Sequence, residues 1–324
     1  MNATLETGGE RLQITCAIPW VGELIEEAAA GELRRDDHHP ATVIVNVESS
    51  SHAYNTSSWE PLTRGAWRRE GEVVIEDACS SGFDVRLLGT GQATEFTMRW
   101  RPRLSGRAAS TLLRTRFILL ARAVLLQYPA LWRASVRGRA PLHASACAMG
   151  GVRALLAGPG GVGKSTLIAQ ELAAGGNAIS DNLCVSDGIT TWGVVEPIRI
   201  EGGAGRSMPY GRTETSLPGR LDSLTPNLVA VIRRGHDDVA SVHSCRAEAV
   251  ARSLITGTYM AGELRRFWAF AATLSAGTEL GPSHPSVETI ARQVAARLPA
   301  VEILLPQRPG VRLAELLSRV EAIA

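Results

Sequence analysis

Lysine is almost missing from this chain. Of the 34 lysines and arginines in 324 residues, one is lysine, Lys164. That scarcity excludes a guanine-reading Asn-Lys-x-Asp motif, because Lys164 belongs to a different pattern. Cysteine is sparse as well: Cys16, Cys79, Cys147, Cys184 and Cys245 are odd in number and have no C-x-x-C spacing. They exclude a disulfide scaffold or a cysteine metal site and read as free thiols in a reducing cytoplasm. The net charge of +2 and the scattered arginines leave no electrostatic footprint for nucleic acid or a membrane surface. Long apolar runs are missing too. The most apolar stretch, Leu112 to Trp132, is broken by Arg114, Arg116 and Arg122, which suits a core helix and not a span. The N-terminus shows no basic-then-apolar leader, so a cytoplasmic protein is expected. Repeats and low-complexity tracts do not occur. His38-His39 after Asp36-Asp37 reads as a solvated loop in preference to a metal site.

The lone lysine closes the run Gly158-Pro159-Gly160-Gly161-Val162-Gly163-Lys164-Ser165-Thr166, which fits the phosphate-binding pattern G-x-x-x-x-G-K-[ST]. A slim ammonium reaches between β- and γ-phosphates where a wide guanidinium fork does not. The pattern needs a strand before it and a helix after it. Val152 to Ala157 is a short, mostly apolar run of strand type, and Ser165 to Ala174 holds good helix formers that stop at Gly175-Gly176. Amides of residues 160–165 at that helix N-terminus are expected to face phosphate oxygens, with Ser165 on Mg²⁺ and Thr166 as support.

Motor-type ATPases carry an apolar strand ending in Asp. Leu228 to Ile232 is such a strand, but Arg233-Arg234 follows it. A Leu-Ser-Gly-Gly-Gln signature is missing; Leu104-Ser105-Gly106-Arg107 is a weak echo. More than 150 residues precede the loop, unlike small-metabolite kinases of the adenylate-kinase type. The acidic candidate is Asp181. It sits in Ser180-Asp181-Asn182, a polar break inside the apolar run Ala178 to Val185. Such a triplet is either a satisfied turn or functional. The functional reading puts Asp181 beside the γ-phosphate, as Mg²⁺ ligand or as base for an attacking hydroxyl.

Three features in order resemble the HPr kinase/phosphorylase family, bacterial serine kinases whose loop module is akin to phosphoenolpyruvate carboxykinase. They are Leu142-His143 ahead of the loop, the loop Gly158 to Ser165 itself, and the helix, glycine break and strand leading to Asp181-Asn182. They span roughly residues 137–200. The resemblance implies an α/β fold: a C-terminal P-loop kinase domain of HPr kinase/PEP carboxykinase type after a smaller α+β N-terminal domain. It implies ATP and Mg²⁺ as cofactors. Lys164 and the loop amides of Gly158, Gly160, Gly161, Val162, Gly163, Ser165 and Thr166 would hold the phosphates. Asp181 would serve as base or metal ligand. His143 reads on its own as a buried structural histidine; the resemblance implies hydrogen bonding to the γ-phosphate or to Asp181. Departures are Ala144 for the family's Gly, Gly160 for its loop Ser and Asn182 for its second Asp. Its Gly-Leu-Gly stretch has no counterpart in Glu196-Pro197-Ile198-Arg199 or Gly202-Gly203-Ala204-Gly205. A kinase without the reverse phosphorylase reaction is therefore expected, and HPr itself is not implied as substrate.

Residues 1–105 read as α+β. Strands are expected at Arg11 to Ile18, Ala41 to Val47, Trp67 to Glu76, Phe83 to Leu88 and Glu95 to Trp100, a helix at Val21 to Ala30 and a turn at Gly89-Thr90-Gly91. This module is expected to recognise the acceptor or to build a homo-oligomer interface. Residues 106–136 read as a connecting helix, near-continuous from Ala108 to Ala134 and interrupted at Pro129. Residues 137–324 read as the nucleotide domain. A Gly-rich loop from Gly202 to Gly219 with Arg206 and Arg212 reads as a plain surface loop or as a substrate or phosphate lid, and helices follow at Ala247 to Leu254, Leu264 to Ser275, Ser286 to Arg297 and Arg312 to Ile323. The expected activity is transfer of a γ-phosphate to a hydroxyl, on Ser or Thr of a protein or peptide, with ribosomal-peptide tailoring among the settings. A small-molecule acceptor and a non-catalytic nucleotide sensor are the alternatives.

Overall fold

The computed structural model describes residues 1–35, 39–88, 93–201, 205–208, 211–307 and 310–321. The expected Asp36-to-His38 loop, the turn at Gly89 to Gly91 and Gly202 to Ala204 lie outside them. The chain is a mixed α/β protein with several sheets, dividing into two compact units. Unit 1 holds Met1–Gly138 and Arg265–Pro285; unit 2 holds Arg139–Leu264 and Ser286–Ala324. Among the described residues no helix is long and apolar enough to cross a membrane.

Unit 1 is built on an eight-stranded sheet. Glu10–Cys16, Val43–Glu48 and Thr94–Trp100 run parallel in its middle, and Asn2–Thr7 adds antiparallel at one edge. Alternation of buried and exposed residues along Glu10–Cys16 and Val43–Glu48 marks strands with one face in the core. The single strand expected at Trp67 to Glu76 is instead a hairpin, Ala66–Arg69 against Glu72–Ile75. Its turn uses Glu70 and Gly71, both at positive φ.

The connecting helix also differs from expectation. It breaks at Leu113, and Ala123–Gln127 forms a π turn before the helix Tyr128–Val136. Pro129 explains the turn: it has no N–H to donate, and its ring would strike the carbonyl four residues back, so the backbone widens ahead of it. This helical run belongs to unit 1. So does the helix Arg265–Thr278, which the sequence reading assigns to the nucleotide domain. It packs on strands of the 60–75 region, and its Phe267 and Phe270 meet Tyr128.

Unit 2 centres on a six-stranded sheet. Val152–Ala157, Leu228–Arg234 and Ala300–Leu305 are its parallel middle, flanked by Ala144–Met149, Asn177–Ser180 and Ser241–Ser244. The apolar runs Ala154 to Ala157 and Val229 to Ile232 are buried throughout, as central parallel strands covered on both sides are. Leu156, Ile232 and Ile303 share one core with Leu167 and Ile168 of the helix Lys164–Ala173 and Leu316 of the helix Leu313–Glu321. Two smaller sheets complete the unit: a four-stranded one containing Ala140–Leu142 and Cys184–Ser186, and a three-stranded one of Ile198–Glu201, Arg212–Thr215 and Arg206–Ser207. The expected Gly-rich loop therefore holds strands. The helix expected to stop at Leu254 runs on as Ala247–Met260.

Gly277 tests the placement of Arg265–Thr278. A methyl there would overlap Val73 Cγ2 and come within 2.8 Å of Leu62 Cδ1. Val73 is fully buried and β-branched, so it cannot swing aside. Gly→Ala inside a helix ordinarily stabilises by about 0.5–1 kcal/mol. Here Gly277→Ala is expected to destabilise unit 1 by about 1–3 kcal/mol through overpacking. Urea unfolding measures the sign; stabilisation would mean that this helix does not sit on these strands.

Candidate functional site

The strand Val152–Ala157 ends at Gly158, and a tight glycine loop turns the chain into the helix Lys164–Ala173. Positive φ favours glycine at three of these positions, Gly158, Gly161 and Gly163. At Gly158, φ is +151° and a Cβ would meet the Ile232 carbonyl oxygen at 2.6 Å. Gly163, the helix N-cap, is left-handed at φ +112°. Val162 is buried and anchors the loop in the core, so only its backbone can serve a ligand. Thr166 is exposed, Ser165 half-buried and Lys164 buried. The Lys164 ammonium donates to the carbonyls of Gly158 at 2.9 Å and Pro159 at 3.0 Å. Burial lowers its pKa to about 8, against the raising effect of the Asp181 and Glu263 carboxylates.

Asp181 lies where the chain changes sheets. Asn177–Ser180 belongs to the six-stranded sheet and Cys184–Ser186 to the four-stranded one, so the polar triplet is the crossing point and not a flaw in one strand. The Ser180 hydroxyl accepts the amides of Asn182 and Leu183, and the Ser145 hydroxyl donates to the Asp181 carbonyl. Those bonds fix the turn. The Asp181 carboxylate is buried, and burial raises its pKa; the Ser165 hydroxyl, the Arg199 charge and the Arg199 amide, 3.4 Å away, oppose that rise. Asp181, Ser165 and Lys164 line one cavity of about 1200 Å³.

His143 lines the same cavity, but its Nε2 donates to Oδ1 of Asn182 at 3.0 Å and not to Asp181. Its amide donates to the Thr258 hydroxyl, itself bonded to the Leu254 carbonyl of the helix Ala247–Met260. Burial and the nearby Lys164 charge lower its pKa to about 4, so the ring is neutral at neutral pH. It orients Asn182 and does not add positive charge.

Sequence reasoning missed the ionic cluster around Arg199. The guanidinium reaches Glu214 at 3.2 Å, Glu263 at 3.1 Å and Glu196 at 3.7 Å. Only Glu196, three residues before Arg199, was a local signal; Glu214 and Glu263 are brought in by the three-stranded sheet and the end of the long helix. Two further arginines close on the loop. Arg234 Nη2 lies 3.6 Å from the Cβ position of Gly163, and Arg212 Nη2 lies 3.8 Å from that of Gly161. Among the described residues, no group of three or more His, Cys, Asp or Glu side chains is arranged to hold a metal.

No family model matches the chain, and no curated protein matches it. Among solved structures, the HPr(Ser) kinase/phosphatase from Coxiella burnetii is similar over 56% of this chain and 88% of that one, with 13% identity and a TM-score of 0.29. A likeness at that TM-score decides neither fold nor activity. The chemistry of the site has to carry any functional reading.

Lysine scarcity makes the loop directly testable, because Lys164 and the Met1 amine are the two amines an acylating reagent can reach. Acylation of Lys164 is expected to rise with pH through about 8, where its ammonium deprotonates. A polyphosphate bound in the loop favours the ammonium, so tripolyphosphate should shift that rise to higher pH while Met1 stays unchanged. By the same linkage, anion affinity should fall about tenfold per pH unit above 8, until the pKa of the bound form is passed. Peptide-level mass spectrometry reads both sites; an unshifted Lys164 profile would mean that the loop holds no phosphate.

Proposed function

We propose that unit 2 is an ATP- and Mg²⁺-dependent kinase that transfers the γ-phosphate to a hydroxyl group, on Ser or Thr of a protein or peptide. One observation carries this reading: a buried carboxylate, Asp181, shares a cavity with Ser165 and Lys164 at the N-terminus of the helix that follows a glycine loop. Helix N-termini and bare loop amides favour anions, and Lys164 adds a charge suited to the β/γ-phosphate bridge.

The residues also fit the cation. The Asp181 carboxylate and the Ser165 hydroxyl are hard oxygen donors in one cavity. Ser165 would supply one oxygen ligand, nucleotide phosphates and water the rest, in keeping with Mg²⁺ preferences, and sharing the metal is the alternative for Asp181 to acting as base. When bound, Mg²⁺ neutralises phosphate charge. The chain's own groups do the remaining work: Lys164 and the loop amides hold the phosphates, and Asp181 accepts the proton of the attacking hydroxyl. Its raised pKa suits a base. His143 holds Asn182 beside it. Unit 1 carries no phosphate-loop pattern, and acceptor recognition or self-association is assigned to it.

Asp181→Asn keeps the shape and removes the base. The variant is expected to bind Mg-ATP but to lose at least ~10²-fold in ATP turnover, with water or an added Ser/Thr peptide as acceptor. Arg199 keeps its three glutamates, so the fold survives. Near-normal turnover would remove Asp181 from the chemistry.

A further inference from the structure

Six cationic side chains line the cavity of unit 2: Lys164, Arg199, Arg212, Arg233, Arg234 and Arg252. Most are already engaged. Lys164 donates to two loop carbonyls, and Arg199 is held by three glutamates. Arg233 pairs with Glu302 at 2.8 Å, and Arg234 donates to the Pro306 carbonyl at 2.7 Å. Arg212 and Arg252 differ: among the described residues neither guanidinium makes a hydrogen bond or ion pair. Of the two, Arg212 is the one set against the loop, 3.8 Å from the Cβ position of Gly161 at its exposed crest.

That placement is electrostatically unfavourable by itself. A guanidinium is brought up to a loop whose amides form the positive end of a helix and whose lysine is also a cation. An anion between them turns repulsion into attraction. The same three-stranded sheet carries Arg199 on Ile198–Glu201 and Arg212 on Arg212–Thr215, paired antiparallel. One arginine is neutralised by carboxylates and ties the sheet to the site; the other makes no ion pair among the described residues.

We propose that Arg212 binds the terminal phosphoryl group of the nucleotide from the side opposite Lys164 and stabilises the charge that spreads over its oxygens during transfer. The proposal rests on the kinase reading and names a phosphate-contacting residue that the loop pattern does not contain. In the step itself the bond from the γ-phosphorus to the β–γ bridging oxygen breaks, and a bond from that phosphorus to the acceptor oxygen forms. The hydroxyl proton goes to Asp181, and ADP leaves. Arg212 gives and takes no proton. A planar, permanently charged fork suits two equatorial phosphoryl oxygens at once.

The test compares wild type with Arg212→Ala and Arg212→Lys, using ATP hydrolysis and the trapping of Mg-ADP by aluminium fluoride, a mimic of the phosphoryl group in flight. Arg212→Ala is expected to keep Mg-ADP affinity within about threefold, because the diphosphate lacks the group that Arg212 contacts. It should lose about 10³-fold in turnover, the scale seen for an arginine aimed at a transferring phosphoryl group, and it should fail to trap the fluoride complex. Arg212→Lys should restore little, whereas added methylguanidine should restore part of the Arg212→Ala turnover. A structural role would show neither the rescue nor unchanged ADP affinity. Equal trapping and turnover by wild type and Arg212→Ala would overturn this role and leave the kinase reading standing. Failure of wild type to bind nucleotide would overturn both.

Discussion

Burying the Asp181 carboxylate is the constraint on which unit 2 depends. A carboxylate without water is expensive unless hydrogen bonds and opposite charge compensate it. Here the Ser165 hydroxyl, the Arg199 charge and the Arg199 amide do so. Arg199 is itself largely withdrawn from water, and Glu196, Glu214 and Glu263 compensate it in turn. The result is one ionic network that joins the glycine loop, the sheet-crossing turn, the three-stranded sheet and the end of the long helix. Removing Arg199 would leave four acids in one desolvated volume. Removing Asp181 leaves Arg199 with three partners. The network therefore tolerates loss of the reactive group better than loss of its support.

The loop helix is fixed from its other end by a second buried acid. Glu171 accepts the Ala314 amide at 3.0 Å and pairs with Arg312 at 3.2 Å. In this way it holds the N-terminus of Leu313–Glu321 against Lys164–Ala173. Leu167, Ile168, Leu313 and Leu316 then share one apolar core. A rigid helix at this point matters to function, because the amides that would hold phosphate belong to its first turn.

The part of the site that is local in sequence was legible. Strand, glycine loop and helix follow one another from Val152 to Ala173, and the polar triplet around Asp181 interrupts an apolar run. What was not legible depends on long-range placement. Glu263 reads as an ordinary surface acid until the helix Ala247–Met260 delivers it to Arg199. Arg212 reads as a loop residue until its strand pairs with Ile198–Glu201. The helix Arg265–Thr278 has the amphipathic pattern of either unit; its docking on the 60–75 strands is decided by the fit of Gly277 against Val73 and Leu62. Periodicity alone shows that a helix has a core face, not which core it meets.

Calorimetric titration with ATP, ADP and AMP, each with and without Mg²⁺, tests most directly whether the glycine loop, Lys164 and Asp181 form a kinase site. Mg-ATP is expected to bind at least ~100-fold more tightly than AMP, because the loop amides and Lys164 contact phosphates that AMP lacks; that ratio corresponds to about 2.7 kcal/mol. Removing Mg²⁺ should weaken ATP binding, since the Asp181 carboxylate would then face phosphate charge without a cation between them. Equal affinity for ATP and AMP, or binding of neither, would contradict the assignment.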